Sequence, residues 1–249
     1  MRNALCHFSL LASLHFTTPA HLLGLGVFAV LTAAAVMAGR RLRARGSIDG
    51  ARRLDLALGL LTAIASATVN IFYLLPSRYD PRESWPLQLC DLAVIAAACA
   101  LLFDWRWART LLHFWGIALC SQGLLTPVHR PSWDDPEYIM TWITHGFIVG
   151  PAIYDTLARG YRPTWRDWRF DMLATTAYVV GAFILDSITG FNYGYVGPSV
   201  PGNPTLVDLL GPWPLRALWV AVIGGTGMTL IMAGWSVAPR LIRAPVLRS

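Results

Sequence analysis

Apolar side chains recur along this chain in seven runs, separated by short stretches that collect its arginines, prolines and acidic residues. An α-helix rises about 1.5 Å per residue, so about 20 residues cross a hydrocarbon core of about 30 Å. The runs fall at 21–39, 54–75, 86–103, 110–126, 138–158, 170–189 and 213–237, each long enough or nearly so. They predict an all-α fold, a polytopic membrane helix bundle of about seven transmembrane helices.

The connections sort by charge. The first carries Arg40, Arg41, Arg43, Arg45, Arg52 and Arg53, and the third Arg106 and Arg109. The fifth carries Arg159, Arg162, Arg166 and Arg169, and the tail Arg240, Arg243 and Arg248. The alternate connections hold only Arg78, Arg82 and Arg130, with Arg216 just inside the last run, while Asp134, Asp135 and Glu137 crowd the fourth. Positive loops stay on the cytoplasmic side, which predicts the N-terminus outside and the C-terminus inside, with an odd number of spans. The domain plan is an external or interfacial segment over 1–20, a transmembrane domain over 21–237 and a cytoplasmic tail over 238–249. The first residues have a short apolar core but no small-x-small cleavage signal, and so read as an interfacial lead-in.

Composition agrees. Apolar residues make up 55% of the 249 and charged ones 14%, too little polar surface to coat a soluble globule. The formal charge of +6 comes with arginines placed between apolar runs, a topology pattern that gives no support to nucleic acid as a partner. Membrane lipids are the expected surroundings, and the cell membrane the expected location. Cys6, Cys90, Cys99 and Cys120 form no CxxC pair and no His/Cys ligand spacing. No metal or other cofactor is implied.

Polar side chains inside the runs fall at one level. Entering from outside, the third run places Gln88, Cys90 and Asp91 within roughly 3 to 8 Å of its start, and the fifth places His145 roughly 10 Å in. Asn70, Gln122 and Asp186 reach comparable depths on the outward-running helices, whereas the cytoplasmic halves look plainer, with His113 the main exception. Polar groups in a bilayer face the bundle interior and mark function, or serve as hydrogen-bonding glue between helices. Cys90 and His145 are the chemically potent pair. A thiol becomes a nucleophile as thiolate, a neutral imidazole within reach can take its proton, and the start of a helix opened by Pro86 favours the negative charge. Asp91 opposes that charge unless it points away or orients His145.

At these residues the chain resembles a known family. Trp85-Pro-Leu-Gln-Leu-Cys-Asp-Leu92, His113-Phe-Trp-Gly116, Gln122-Gly-Leu-Leu-Thr-Pro127, Thr144-His-Gly146, Asn192-Tyr193 and Leu206-Val-Asp-Leu-Leu-Gly-Pro-Trp-Pro214 are similar, in order, to the YwaF-like bacterial membrane proteins. Those are grouped with the eukaryotic transmembrane protein 164 family. The resemblance covers about the last two thirds of the chain. It implies a cysteine-dependent transfer of fatty acyl groups between glycerophospholipids, with the cysteine falling on Cys90 and His145 as base. Gln88 stands where the bacterial pattern has histidine, which puts a role for that position in question. The 206–214 segment reads as a rigid external turn that caps the site.

The leading expectation is therefore a lipid acyltransferase opening to the outer leaflet, with a phospholipid or lysophospholipid substrate. Its catalytic residues are Cys90 and His145, and the substrate-binding ones Asn70, Gln88, Asp91, Gln122, Asp186, Asn192 and Tyr193. The alternatives are a small-solute transporter or receptor-like binding protein, and a scaffold without chemistry.

Overall fold

In the computed structural model the described residues are 18–126, 132–199 and 205–242, with side chains described up to 237. Cys6, Arg130, Arg243, Arg248 and nearly all of the 1–20 segment lie outside them, and the side chain of Arg240 is not described. The described chain is helical throughout. Helix α1 spans Pro19–Ala44, α2 Ile48–Leu74 and α3 Leu89–Phe103. Helix α4 spans Arg106–Phe114 and runs through a π-helical turn, Trp115–Leu119, into the short α5, Ser121–Leu125. Helices α6 (Pro136–Leu157), α7 (Trp165–Thr189) and α8 (Leu215–Ile242) complete the bundle, with 3-10 turns at Tyr193–Tyr195 and Leu206–Leu210.

Each apolar run thus becomes helix, but the ends differ from the hydropathy boundaries. Helices α1 and α2 extend through the arginines flanking their turn. Arginine is a good helix former whose stem lies along apolar surface, so a charge stops a hydropathy count without stopping a helix. Helix α3 starts later than the run that predicts it. Pro86 lies in a turn, Gln88 is the N-cap, and Cys90 stands within the first turn.

Four helices are long and apolar enough to cross a membrane: α1, α2, α7 and α8 up to Val237. They form the outside of the bundle and present Val30, Leu60, Leu173, Ile188 and Leu230 outward. The others are shorter, broken or more polar, and they build the interior. Helix α3 packs Ala93, Ala96, Ala97 and Ala100, all buried, against α4 and α6. Small side chains allow this approach, and in lipid, close packing is the main force holding helices together. Gly116 in the π-turn would place a Cβ 2.9 Å from that of Ala152, so α4 and α6 touch almost backbone to backbone. Helix α6 contacts α1 through α4 and is the central element.

One expectation is corrected here. The arginine-rich end is not plain but carries the densest polar network among the described residues. Arg159 at the foot of α6 reaches Asp55 of α2 (3.2 Å), Asp104 after α3 (2.8 Å) and Asp155 (2.9 Å), and donates to the carbonyl of Ala100. Arg43 of α1 adds two bonds of 2.8 Å to Asp55, Tyr154 donates to it at 2.6 Å, and Arg109 of α4 pairs with Asp155 at 3.0 Å. Five helices are tied through two buried carboxylates. Buried charges persist only when fully paired, and here each carboxylate meets more than one donor.

Candidate functional site

The opposite end of the bundle is closed by a cap made from segments 75–88, 190–199 and 205–214. Tyr193, fully buried, donates from its hydroxyl to the carbonyl of Pro81 at 2.7 Å and accepts from the Trp85 amide at 3.3 Å. Burial pushes that phenol up to about 12, so it remains a donor. Asp186 at the end of α7 accepts the Tyr193 amide at 3.0 Å, and Asn192 accepts the Gly197 amide at 3.0 Å. Gln88 accepts the Gly194 amide at 2.9 Å, while Tyr178 donates to the carbonyl of Leu87 at 2.9 Å. Gly194 has φ +63°, and a Cβ there would lie 2.7 Å from the Tyr178 hydroxyl, so only glycine lets this loop approach α7. The motif residues Gln88, Asn192 and Tyr193, with Asp186 of the polar layer, therefore each hold one part of this closure.

The second half of the cap is organised by Arg216, buried in the first turn of α8. It bonds Asp208, the hydroxyl of Ser199 and the carbonyl of Gly197, while Trp213 donates to the carbonyl of Val196 at 3.0 Å. Partial burial works to raise the Asp208 carboxyl, but bonds from Ser199 and Thr205 and the Arg216 charge outweigh it and hold it below the usual carboxylate range.

Beneath the cap stands Cys90, half-buried and packed against the alanine-rich core. Its neighbours within electrostatic range are Asp91, Cys120 and the hydroxyls of Tyr73, Tyr178 and Tyr195. Asp91 turns back along α3 to accept the Gln88 amide at 3.0 Å, completing the N-terminal turn. This bond engages one oxygen of the carboxylate.

His145 lies in α6. Its Nδ1 is 2.9 Å from the carbonyl of Thr141, which can only accept, so Nδ1 carries the proton and Nε2 of the neutral ring holds the lone pair. That edge of the ring rests on Gly123 of α5, where a Cβ would sit 2.2 Å from Nε2. Cys120 and Gly123, three residues apart, share one face of the segment after the π-turn. Cys120 on this face is in electrostatic range of Cys90 and Gly123 lies under His145, while Cys90 and His145 share no direct contact among the described residues. A π-turn widens a helix by one residue and re-aims the next turn, and such turns are frequent at functional sites.

Asn70 and Gln122 take no part in these contacts. Asn70 donates to the carbonyl of Ser66 at 2.8 Å within its own helix, and the exposed Gln122 donates to Thr126 at 3.3 Å. Two surface clefts are open, one of 370 Å³ between α7 and α8 beside Met172 and Gly225, the other of 280 Å³ at the arginine-rich end. Neither is lined by Cys90 or His145.

Several further buried polar groups lie outside the expected layer. His21 of α1, fully buried, pairs with Tyr138 at 3.1 Å and stands 5.4 Å from the ring of Trp142, closing the α1 side of the face that carries His145. His113 donates to Thr156 and accepts from Trp235 at 3.0 Å, the fully paired arrangement of a structural histidine. Asp171 of α7 is buried with neither oxygen partnered among the described residues, and the nearby Trp168 ring N–H likewise has no partner among them. An acid inside an apolar run was the only available signal for it.

The arrangement defines a multi-pass helical membrane protein with a motif-built cap over a cysteine and a histidine. The profile of the TMEM164 family matches residues 15–232, and the chain belongs to that family. No curated protein and no solved structure matches it.

Proposed function

We propose that the protein is a lipid acyltransferase that uses Cys90 as nucleophile and His145 as base, with the capped end facing the outer leaflet of the cell membrane. In this reading seven spans cross the bilayer, with the N-terminus outside and the tail inside. What supports the reading is a thiol on the first turn of α3 with Cys120 in electrostatic range, and a histidine whose Nδ1–H is committed to Thr141 and whose Nε2 lies over Gly123, three residues beyond Cys120. The base nitrogen is thereby fixed by the backbone, as in other catalytic histidines.

The chemistry follows from that polarity. Nε2 takes the thiol proton and Sγ attacks the carbonyl carbon of an acyl ester. The tetrahedral oxyanion collapses with cleavage of the ester C–O bond, and the departing lipid alkoxide receives the proton from Nε2. An acceptor hydroxyl then loses its proton to Nε2 and attacks the thioester, and the cysteine leaves and is reprotonated. Of the three substrate-binding amides, Asn70 and Gln122 are bonded to their own segments, while the NH₂ of Gln88 has no partner among the described residues and can serve as an oxyanion donor. Gln88 caps α3 two residues before Cys90, and the free amides of that first turn supply further donors.

A second reading rests on Asp171. A buried acid without a partner in a membrane helix suits a binding protein or transporter for a cation or proton. Incubation with an activated acyl ester that forms a thioester with cysteine, followed by intact-mass analysis, separates the two. The acyltransferase gains one acyl mass that Cys90→Ser abolishes and Asp171→Asn leaves in place. Absence of any Cys90-dependent adduct, with solute uptake lost in Asp171→Asn, would favour transport.

A further inference from the structure

The 280 Å³ cleft at the arginine-rich end lies against the turn between α1 and α2, lined by Arg43, Gly46, Ile48, Ala51, Arg52 and Asp55. Its two guanidiniums are held differently. Arg43 is spent on Asp55, Tyr154 and the carbonyl of Gly39. Arg52 is exposed but pinned, donating at 3.1 Å to the carbonyl of Leu101 and at 2.6 Å to that of Leu102 at the end of α3. Those carbonyls lack intrahelical partners, as at every helix C-terminus, and they orient the guanidinium without neutralising it. A guanidinium carries five N–H donors, so three remain to face the cleft.

The surrounding charge is positive. Asp55 is covered by Arg43, Arg159 and Tyr154, and Asp104 is paired with Arg109 and Arg159, which leaves Asp49 against Arg45, Arg52, Arg53 and the arginines at the end of α1. Arg45 and Arg53 are exposed and have no ion-pair partner among the described residues. Running from Arg52 along the same face of α2 at four-residue spacing are Leu56 (39% exposed), Leu60 (57%) and Ile64 (53%), with Ile48 (81%) at the mouth. A fixed cation at the head of an outward apolar stripe matches one ligand shape, an anionic head on a hydrocarbon chain.

We infer that this cleft binds an anionic phospholipid, its phosphate held by Arg52 within the positive field of the turn and one acyl chain lying along Leu56, Leu60 and Ile64. Arginine forms strong charge-assisted bonds to phosphate oxygens, and the apolar stripe distinguishes a lipid from a free anion. This site is separate from Cys90 and does not depend on the acyltransferase reading.

Native mass spectrometry of the full chain in detergent tests it, with dioleoyl phosphatidylglycerol and dioleoyl phosphatidylcholine as competing probes. Phosphatidylglycerol should be retained preferentially. Arg52→Ala should lower its retention about tenfold, the loss of one charge-assisted contact, while Arg53→Ala, which removes an equal charge from the surrounding field but no contact in the cleft, should lower it far less. Arg52→Ala also frees two α3 carbonyls, so Ile48→Glu serves as the second variant. That side chain is almost fully exposed, and an acid at the mouth should lower retention while Ile48→Gln does not. Inorganic phosphate in excess should fail to displace the lipid. Equal retention of the two lipids, equal loss in Arg52→Ala and Arg53→Ala, no effect of Ile48→Glu, or displacement by phosphate alone would each overturn the inference.

Discussion

The cap stands or falls on Arg216, and removing its partner gives a magnitude that can be worked through. The guanidinium is 1% exposed, its only anionic contact among the described residues is Asp208, and its Nε–H already lacks a partner there. In Asp208→Ala the charge stays buried against Ser199 and the carbonyl of Gly197, and the Thr205 amide loses the carboxylate that caps its turn. Stranding one member of a buried pair costs about 3–5 kcal/mol. If that cost is met by opening of the cap, the equilibrium for opening rises by a factor of about 10² to 10³ or more. Hydrogen exchange of the Val196 and Gly197 amides should accelerate by that factor, with α3 and α6 unchanged. The depressed Asp208 carboxyl adds a pH signature. Its folded value lies below its unfolded one, so its contribution is complete above the unfolded value of about 4 and is lost as pH falls through the lower folded value. Wild type should thus open its cap only in acid, and Asp208→Ala should lose that acid step. Acceleration below tenfold, or an acid step of unchanged size in the variant, would refute the reasoning.

Three further outcomes follow from the same geometry. Gly123→Ala must drive the His145 ring back by about 1 Å from a 2.2 Å contact, so it should cost about 1–3 kcal/mol in thermal stability and slow modification of Cys90; unchanged behaviour in both would show that the ring does not rest there. Asp55→Ala leaves Arg159 and Arg43 short of a shared buried carboxylate and should destabilise the bundle by about 3–5 kcal/mol in detergent melts, whereas a loss under about 1 kcal/mol would mean that the network is solvated. A reporter that is active only outside the cytoplasm should work when fused after Ser132 and fail after Arg45, and the reverse pattern would overturn the orientation.

Much of this architecture can be read from the chain because lipid imposes a simple rule, that each apolar run must satisfy its own backbone. The rule finds α1, α2, α7 and α8 directly. It misplaces the start of α3, since Pro86 and Leu87 are as apolar as the helix after them, and only the bonds of Gln88 and Asp91 show where the first turn begins. It misses the π-turn, which depends on the close packing of Gly116 against Ala152. Residue depth identifies Gln88 and Asp186, and the family motifs add Asn192 and Tyr193, but neither shows the bonds that Gln88 and Tyr193 make across the cap, because those partners lie about a hundred residues away in sequence. The network around Arg159 is hidden for another reason. Arginine and aspartate beside a span read as topology signals, and pairing across five helices leaves no periodic trace.

The central claim is that Cys90 is a thiol activated by His145, and its rate of modification is the direct measure. With the protein in membranes, a thiol-directed probe should label Cys90 faster than Cys99 or Cys120, because access and thiolate fraction govern reactivity. His145→Ala should slow Cys90 alone, without altering the melting of the bundle. Labelling of Cys90 no faster than the other two, or unchanged after loss of His145, would contradict the account.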